Sequence, residues 1–99
     1  MAGFQWNPVK ARGNERKHAV SFEEAASVFR GFCLIRPDGR RDYDEPRSIA
    51  LGLDSNGVVL NVVYTVRGGD TRIISAWKAS KHEREAYEEA REARPIREP

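Results

Sequence analysis

The chain has a single cysteine, Cys33, so no disulfide framework can form within it, and its place in the apolar run Phe32 to Ile35 reads as a small buried hydrophobe. Histidine is nearly as scarce, with two residues. His18, His82 and Cys33 stand singly, without the short paired spacing of zinc sites, so no metal site is expected. There is no apolar run of about 18 residues and no secretory hydrophobic region, which leads to the expectation of a soluble, cytoplasmic chain. Gly68-Gly69 lacks the Lys-Ser/Thr and the helix that follow a phosphate loop, and no spacing selects a Ser-His-Asp arrangement. No internal repeat or low-complexity tract is present, and no cofactor is implied.

The 99 residues suffice for one domain, residues 1–99, with a single core and little to spare. Hydrophobic residues make up 39% and charged residues 32%, a foldable balance because the apolar positions are periodic. The net charge of +2 is mild for a nucleic-acid binder until it is divided along the chain. Lys10, Arg12, Arg16 and Lys17 against Glu15 give +3 in residues 1–20, and Arg67, Arg72, Lys78 and Lys81 against Asp70 give +3 in residues 67–81. Segments 21–66 and 82–99 contribute −2 each. Basic charge is thus concentrated in two places, which matters more for phosphate binding than the sum.

The organising stretch is Gly57 to Ser80, two extended runs around Gly68-Gly69, a pair that favours a hairpin because both glycines accept positive φ. A simple hairpin register opposes Arg67 to Asp70, Thr65 to Arg72, Val63 to Ile74, Asn61 to Ala76 and Val59 to Lys78. One face then collects Asn61, Thr65, Arg67, Arg72 and Lys78. The other collects Val58, Leu60, Val62, Tyr64, Val66, Ile73, Ser75 and Trp77 as a core face. The same cations also suit an ordinary solvated hairpin face.

Upstream, Phe4 and Trp6 flank Gln5 as a short strand, and Asn7-Pro8 starts a helix to about Lys17 with Asn7 as N-cap. Helical spacing sets Lys10, Asn14 and Lys17 along one side with His18 beside them, either a functional stripe or a solvated one. Ser21 and Glu24 form a capping box for a second helix, whose Phe22, Ala25, Ala26 and Phe29 make an apolar stripe ended by Gly31. A strand over residues 32–36, a turn-rich loop over 37–46 and a strand over 47–53 follow. In the last, Ser48, Ala50 and Gly52 would leave room for a groove floor if they shared the side of Arg67 and Arg72. A C-terminal helix begins near Ser80, with Glu83 completing a capping box, Tyr87 packing locally and Pro95 limiting its length.

A cationic face with arginines, lysines and a histidine suits metal-free cleavage of RNA. The ribose 2′-OH attacks the neighbouring phosphorus, so the site needs a base, an acid for the departing 5′ oxygen and cations for the phosphoryl oxygens. Arginine fits the last role and histidine either proton role.

The pattern FxWNPxKAxxNxxKHxVSFEEA at residues 4–25, with RIISAxKASxxEREAYEE at residues 72–89, resembles the BrnT family of type II toxin–antitoxin toxins over about 40 of the 99 residues. The resemblance implies an α+β, RelE-like fold, with two N-terminal helices packed on a mainly antiparallel β-sheet plus a C-terminal helix. It also implies an endoribonuclease that arrests growth, neutralised by a DNA-binding, BrnA-like antitoxin in a hetero-oligomer. The family's motif positions fall on Lys10, Asn14, Lys17, His18, Arg67, Arg72, Ser75, Lys78, Glu83 and Tyr87. Asn7 departs from a usual Asp, and Trp77 from a frequent Arg. The residues assigned to chemistry are Arg67, Arg72 and Lys78 for phosphate charge and His18 for proton transfer, with Lys10, Lys17 and Lys81 as RNA contacts. Another class of function, a non-catalytic RNA- or protein-binding module, uses the same face only to hold its partner.

Overall fold

A computed structural model describes residues 3–40, 42 and 44–93. Five strands, β1 (Phe4–Gln5), β2 (Cys33–Pro37), β3 (Ser48–Leu53), β4 (Val59–Arg67) and β5 (Asp70–Lys78), form one sheet in the order β1-β5-β4-β3-β2. The β2–β3, β3–β4 and β4–β5 pairs are antiparallel, and β1 lies parallel to β5. Three α-helices, α1 (Pro8–His18), α2 (Phe22–Ser27) and α3 (Lys81–Ala93), complete an α+β fold. A short 3-10 turn, Val28–Arg30, continues α2 up to Gly31. Pro95 lies outside the described residues.

The helix starts follow the capping chemistry. Asn7 Oδ1 accepts from the backbone N–H of Val9 and Lys10, and Pro8 occupies the first turn. Ser21 and Glu24 form a reciprocal capping box, as do Ser80 and Glu83. Between β4 and β5, Gly68 and Gly69 take φ of 60° and 84°, as the tight turn requires.

One face of the sheet carries the main core: Leu60, Val62, Ile73 and Ala76 against Val20, Phe22, Ala25 and Val28. Ser48, Ala50 and Gly52 also lie on this face, opposite Tyr64, Val62 and Leu60, which corrects the expected groove floor. Their smallness instead lets the α2 layer approach: a Cβ on Gly52 would stand 3.0 Å from both Val28 Cβ and Cys33 Sγ. On the opposite face α3 covers one end, where Tyr87 packs with Leu51, Val59 and Ala79 and its hydroxyl donates to the Phe32 carbonyl at 2.9 Å. The other end of that face is the groove.

The hairpin departs from the simple register at its middle. Arg67–Asp70 and Thr65–Arg72 are paired as expected, but Tyr64 opposes Ile73 and Val63 opposes Ser75, so Ile74 is the extra residue of a β-bulge. Beyond it every side chain changes face. Val62 then opposes Ala76, Asn61 opposes Trp77 and Leu60 opposes Lys78, so Trp77 and Ser75 join Arg72 on the groove face while Lys78 moves to the α2 side. The cause is steric and polar together. The Ala76 methyl is fully buried in the core with Phe22 and Val20, which are 0% and 2% exposed, and α1 grips the Ala76 backbone. Val58 and Val66, expected in the core, are exposed at the strand ends.

Candidate functional site

The groove is built where α1 runs along the edge of β5 left uncovered once β1 ends at Gln5. Asn14 makes that join. Its Nδ2 donates to the carbonyls of Ala76 (2.9 Å) and Val20 (3.0 Å), and its Oδ1 accepts from Ala76 N–H (3.1 Å) and the Ser75 hydroxyl (3.4 Å). The side-chain amide thus bonds β5 as a neighbouring strand would. Holding α1 there turns Lys10, Lys17 and His18 toward the sheet, and with Arg40, Arg47 and Val63 they line a cavity of about 350 Å³ with no carboxylate among the described residues of its wall.

Beside this cavity a second set of cations converges. Arg67 Nη2 donates to Glu45 Oε2 at 2.7 Å, and Arg47 stands 3.9 Å from the other carboxylate oxygen. The hydrogen bond from Arg67, and then the charges of Arg67, Arg47 and Arg72, hold the Glu45 carboxyl below its ordinary value. Arg72 is oriented by the strand next to it, its Nη1 donating to Gln5 Oε1 at 3.0 Å. The loop bearing Glu45 is tied over the groove by the Thr65 hydroxyl, which donates to the Pro46 carbonyl at 2.7 Å. A carboxylate therefore sits where the Arg67 and Arg47 guanidinium groups can receive an anion, within reach of the Arg72 charge.

The structure thus brings Lys10, Lys17, His18, Arg67 and Arg72 to one face, and separates Lys78 and Lys81 from it. Lys78, expected beside Arg67 and Arg72, projects on the α2 side opposite Leu60, where its charge acts on Glu24. Lys81 is exposed at the start of α3 and lines no part of the cavity. Arg47, Arg40 and Trp77 are the groove residues that sequence reasoning missed. Arg47 had a trace: it shares parity with Ile49 and Leu51, which oppose Val63 and Asn61. Trp77 had only its place in the family motif, where an Arg is frequent, and Arg40 had none, because the bulge and the loop conformation decide their positions.

Two further groups take structural parts. Glu83 is held ionised by the backbone N–H of Ser80 first and by Asn61 Nδ2 as well, with Arg36 4.0 Å away, which fits a cap better than a proton acceptor. Burial pushes the Cys33 thiol up, and its Sγ donates to the Val28 carbonyl. Among the described residues, no three His, Cys, Asp or Glu side chains gather as a group that could hold a metal ion. No described helix is long and apolar enough to cross a membrane.

Comparison with known families matches residues 6–83 to the ribonuclease toxin, BrnT, of type II toxin–antitoxin systems. The chain belongs to the BrnT family. Its fold is similar to that of the crystal structure of the Brucella abortus ribonuclease toxin, BrnT, with a TM-score of 0.61 and 18% identity, covering 82% of this chain and 100% of that one. At that identity the likeness speaks to the fold. A search of curated protein sequences finds no match. Family membership makes the groove a candidate ribonuclease site, bounded by α1, β4, β5 and the side chains of Arg40, Glu45 and Arg47.

Proposed function

We propose that this BrnT-family chain is a metal-independent endoribonuclease that cuts cellular RNA in the groove between α1 and the sheet. The observation that supports it is the meeting of Arg47 and Arg67 on one carboxylate, with the Arg72 charge reaching it, next to a cavity lined with Lys10, Lys17 and His18. An RNA phosphate exchanges with the Glu45 carboxylate on the same donors. Arg67 and Arg72 then meet the non-bridging oxygens, and Lys10 and Lys17 follow the backbone on the α1 side. The 2′ oxygen bonds to phosphorus as the bond to the 5′ oxygen breaks, giving a cyclic phosphate and a 5′-hydroxyl. One proton leaves the 2′-OH and one reaches the 5′ oxygen, with His18 the group assigned to proton transfer.

A toxin of this kind acts in the cytoplasm and needs a partner to silence it. An acidic or amphipathic segment of a BrnA-like, DNA-binding antitoxin laid across Arg67 and Arg72 supplies opposite potential for association and burial for retention. Expression of this chain alone stops growth, co-expression with the small protein encoded beside it restores growth, and the two co-purify. Harmless expression of the intact chain without a partner contradicts this reading and favours a binding module.

A further inference from the structure

Two tryptophans divide the molecule's functions between them. Trp6 is a core residue, edge-on to Phe22 with ring centroids 6.0 Å apart. Trp77 is instead half-buried on the cationic face, opposite Asn61. The Arg40 guanidinium carbon lies 5.2 Å from the centre of its ring, and the His18 ring centroid is 6.3 Å away at 42°. Arg40 is itself anchored, its Nε and Nη2 donating to the two carboxylate oxygens of Asp38 at 2.8 and 2.9 Å, and the Asp38 side chain is fully buried. An apolar ring among phosphate-binding cations serves no phosphate contact. Its flat face suits a planar, polarisable group.

We propose that Trp77 is a stacking platform for one unpaired nucleobase of the bound strand, a reading that rests on the groove being an RNA site. Single-stranded RNA is held by cations along its backbone and by aromatic faces against its bases. The same face of the sheet offers both, with Lys10 and Lys17 on α1 and Arg72 further along β5 for phosphates, and Trp77 beside His18 for a base. Arg40 now lies over the ring as a base would; its side chain is 55% exposed, so its guanidinium has room to leave the ring, at the cost of its ion pair with Asp38. His18, next to the ring, places the proton-transfer group close to the nucleotide whose base is stacked.

The probe is a short, unpaired 2′-O-methyl oligonucleotide, which binds but lacks the 2′-OH needed for cleavage. In an amide and indole NMR titration of the full chain, the indole N–H signal of Trp77 shifts and that of Trp6 stays in place. Trp77→Leu raises Kd by roughly 5- to 150-fold, the range for losing one base–aromatic stack. It leaves the salt dependence of binding unchanged, because no phosphate contact is lost. Trp77→Phe retains binding, and an abasic chain of the same length binds wild type and Trp77→Leu equally. Saturation without movement of the Trp77 indole overturns the proposal, even if Trp77→Leu fails to fold. So does wild-type affinity in Trp77→Leu, or absence of binding to wild type. A chain that binds through Trp77 and cuts no RNA upholds the stacking platform and defeats the nuclease, whereas RNA cleavage with an unmoved indole does the reverse.

Discussion

Replacing Asn14 by Ala removes the side chain whose amide hydrogen-bonds α1 to the edge of β5. The Ala76 N–H can donate only to Oδ1 and the Ala76 carbonyl can accept only from Nδ2, so the amide orientation is determined by its partners. Truncation deletes three hydrogen bonds of 2.9 to 3.1 Å and strands the Ala76 N–H and two carbonyls at residues that are 0% and 2% exposed. At about 1 kcal/mol net per hydrogen bond, with more for each buried group left unsatisfied, the loss is about 3 to 5 kcal/mol. That is a large part of the roughly 5 to 15 kcal/mol that stabilises a domain. In urea denaturation followed by circular dichroism, a slope of about 1.5 kcal/mol/M turns this into a midpoint lowered by about 2 M or more. Asn14→Asp is at least as damaging at neutral pH, because it keeps the acceptor but sets a carboxylate against two carbonyls. It recovers partly in acid, when the protonated carboxyl can donate. A loss below about 1 kcal/mol in Asn14→Ala refutes the strand-substitute role.

Two other outcomes concern stability. Gly52→Ala destabilises by about 1 to 3 kcal/mol, measured as a lowered urea midpoint, because the new Cβ meets Val28 Cβ and Cys33 Sγ at 3.0 Å; an unchanged midpoint would mean that the α2 layer adjusts freely. Glu24 and Glu83 both titrate below the ordinary 4.5, chiefly through the backbone N–H groups of Ser21 and Ser80. Since their folded values are lower than their unfolded ones, the unfolded chain binds more protons as acid is added. Their contribution is present above the ordinary value and lost as pH falls through the depressed one. Melting curves between about pH 3 and 6 therefore show less acid weakening in Glu24→Gln and Glu83→Gln than in wild type, and equal weakening would assign the acid transition to other groups.

The parts of the fold that were legible in the sequence are those specified by local chemistry. Asn7-Pro8, Ser21 with Glu24, Ser80 with Glu83, and Gly68-Gly69 each carry their own partners within a few residues, and each occurs as expected. What was not legible depends on contacts far along the chain. The stretch Ile73 to Lys78 alternates poorly on either parity, with Ser75 on one and Lys78 on the other, and that ambiguity is the only mark left by the bulge at Ile74. Its position is decided by Asn14, more than 60 residues away in sequence, gripping Ala76. The same shift explains the site. Arg67, Arg72 and the Lys10–His18 side of α1 lie ahead of or outside the bulge and share the groove, while Lys78 lies after it and Trp77 takes its place. Glu45 belongs to a loop without periodicity, so its pairing with Arg67 had no signal short of the folded chain.

Cleavage of RNA by this groove without metal is open to a direct test. Purified chain is incubated with a single-stranded RNA in excess chelator, and the ends produced are analysed. The expected products are fragments ending in cyclic phosphate and 5′-hydroxyl, with the rate lowered about 100- to 1000-fold in folded Arg67→Ala and Arg72→Ala, the loss typical of one preorganised charge donor. Lys78→Ala, altered on the opposite side of the sheet, keeps a rate near wild type. Intact RNA under chelator, or full activity in both arginine variants, contradicts metal-free cleavage by this groove.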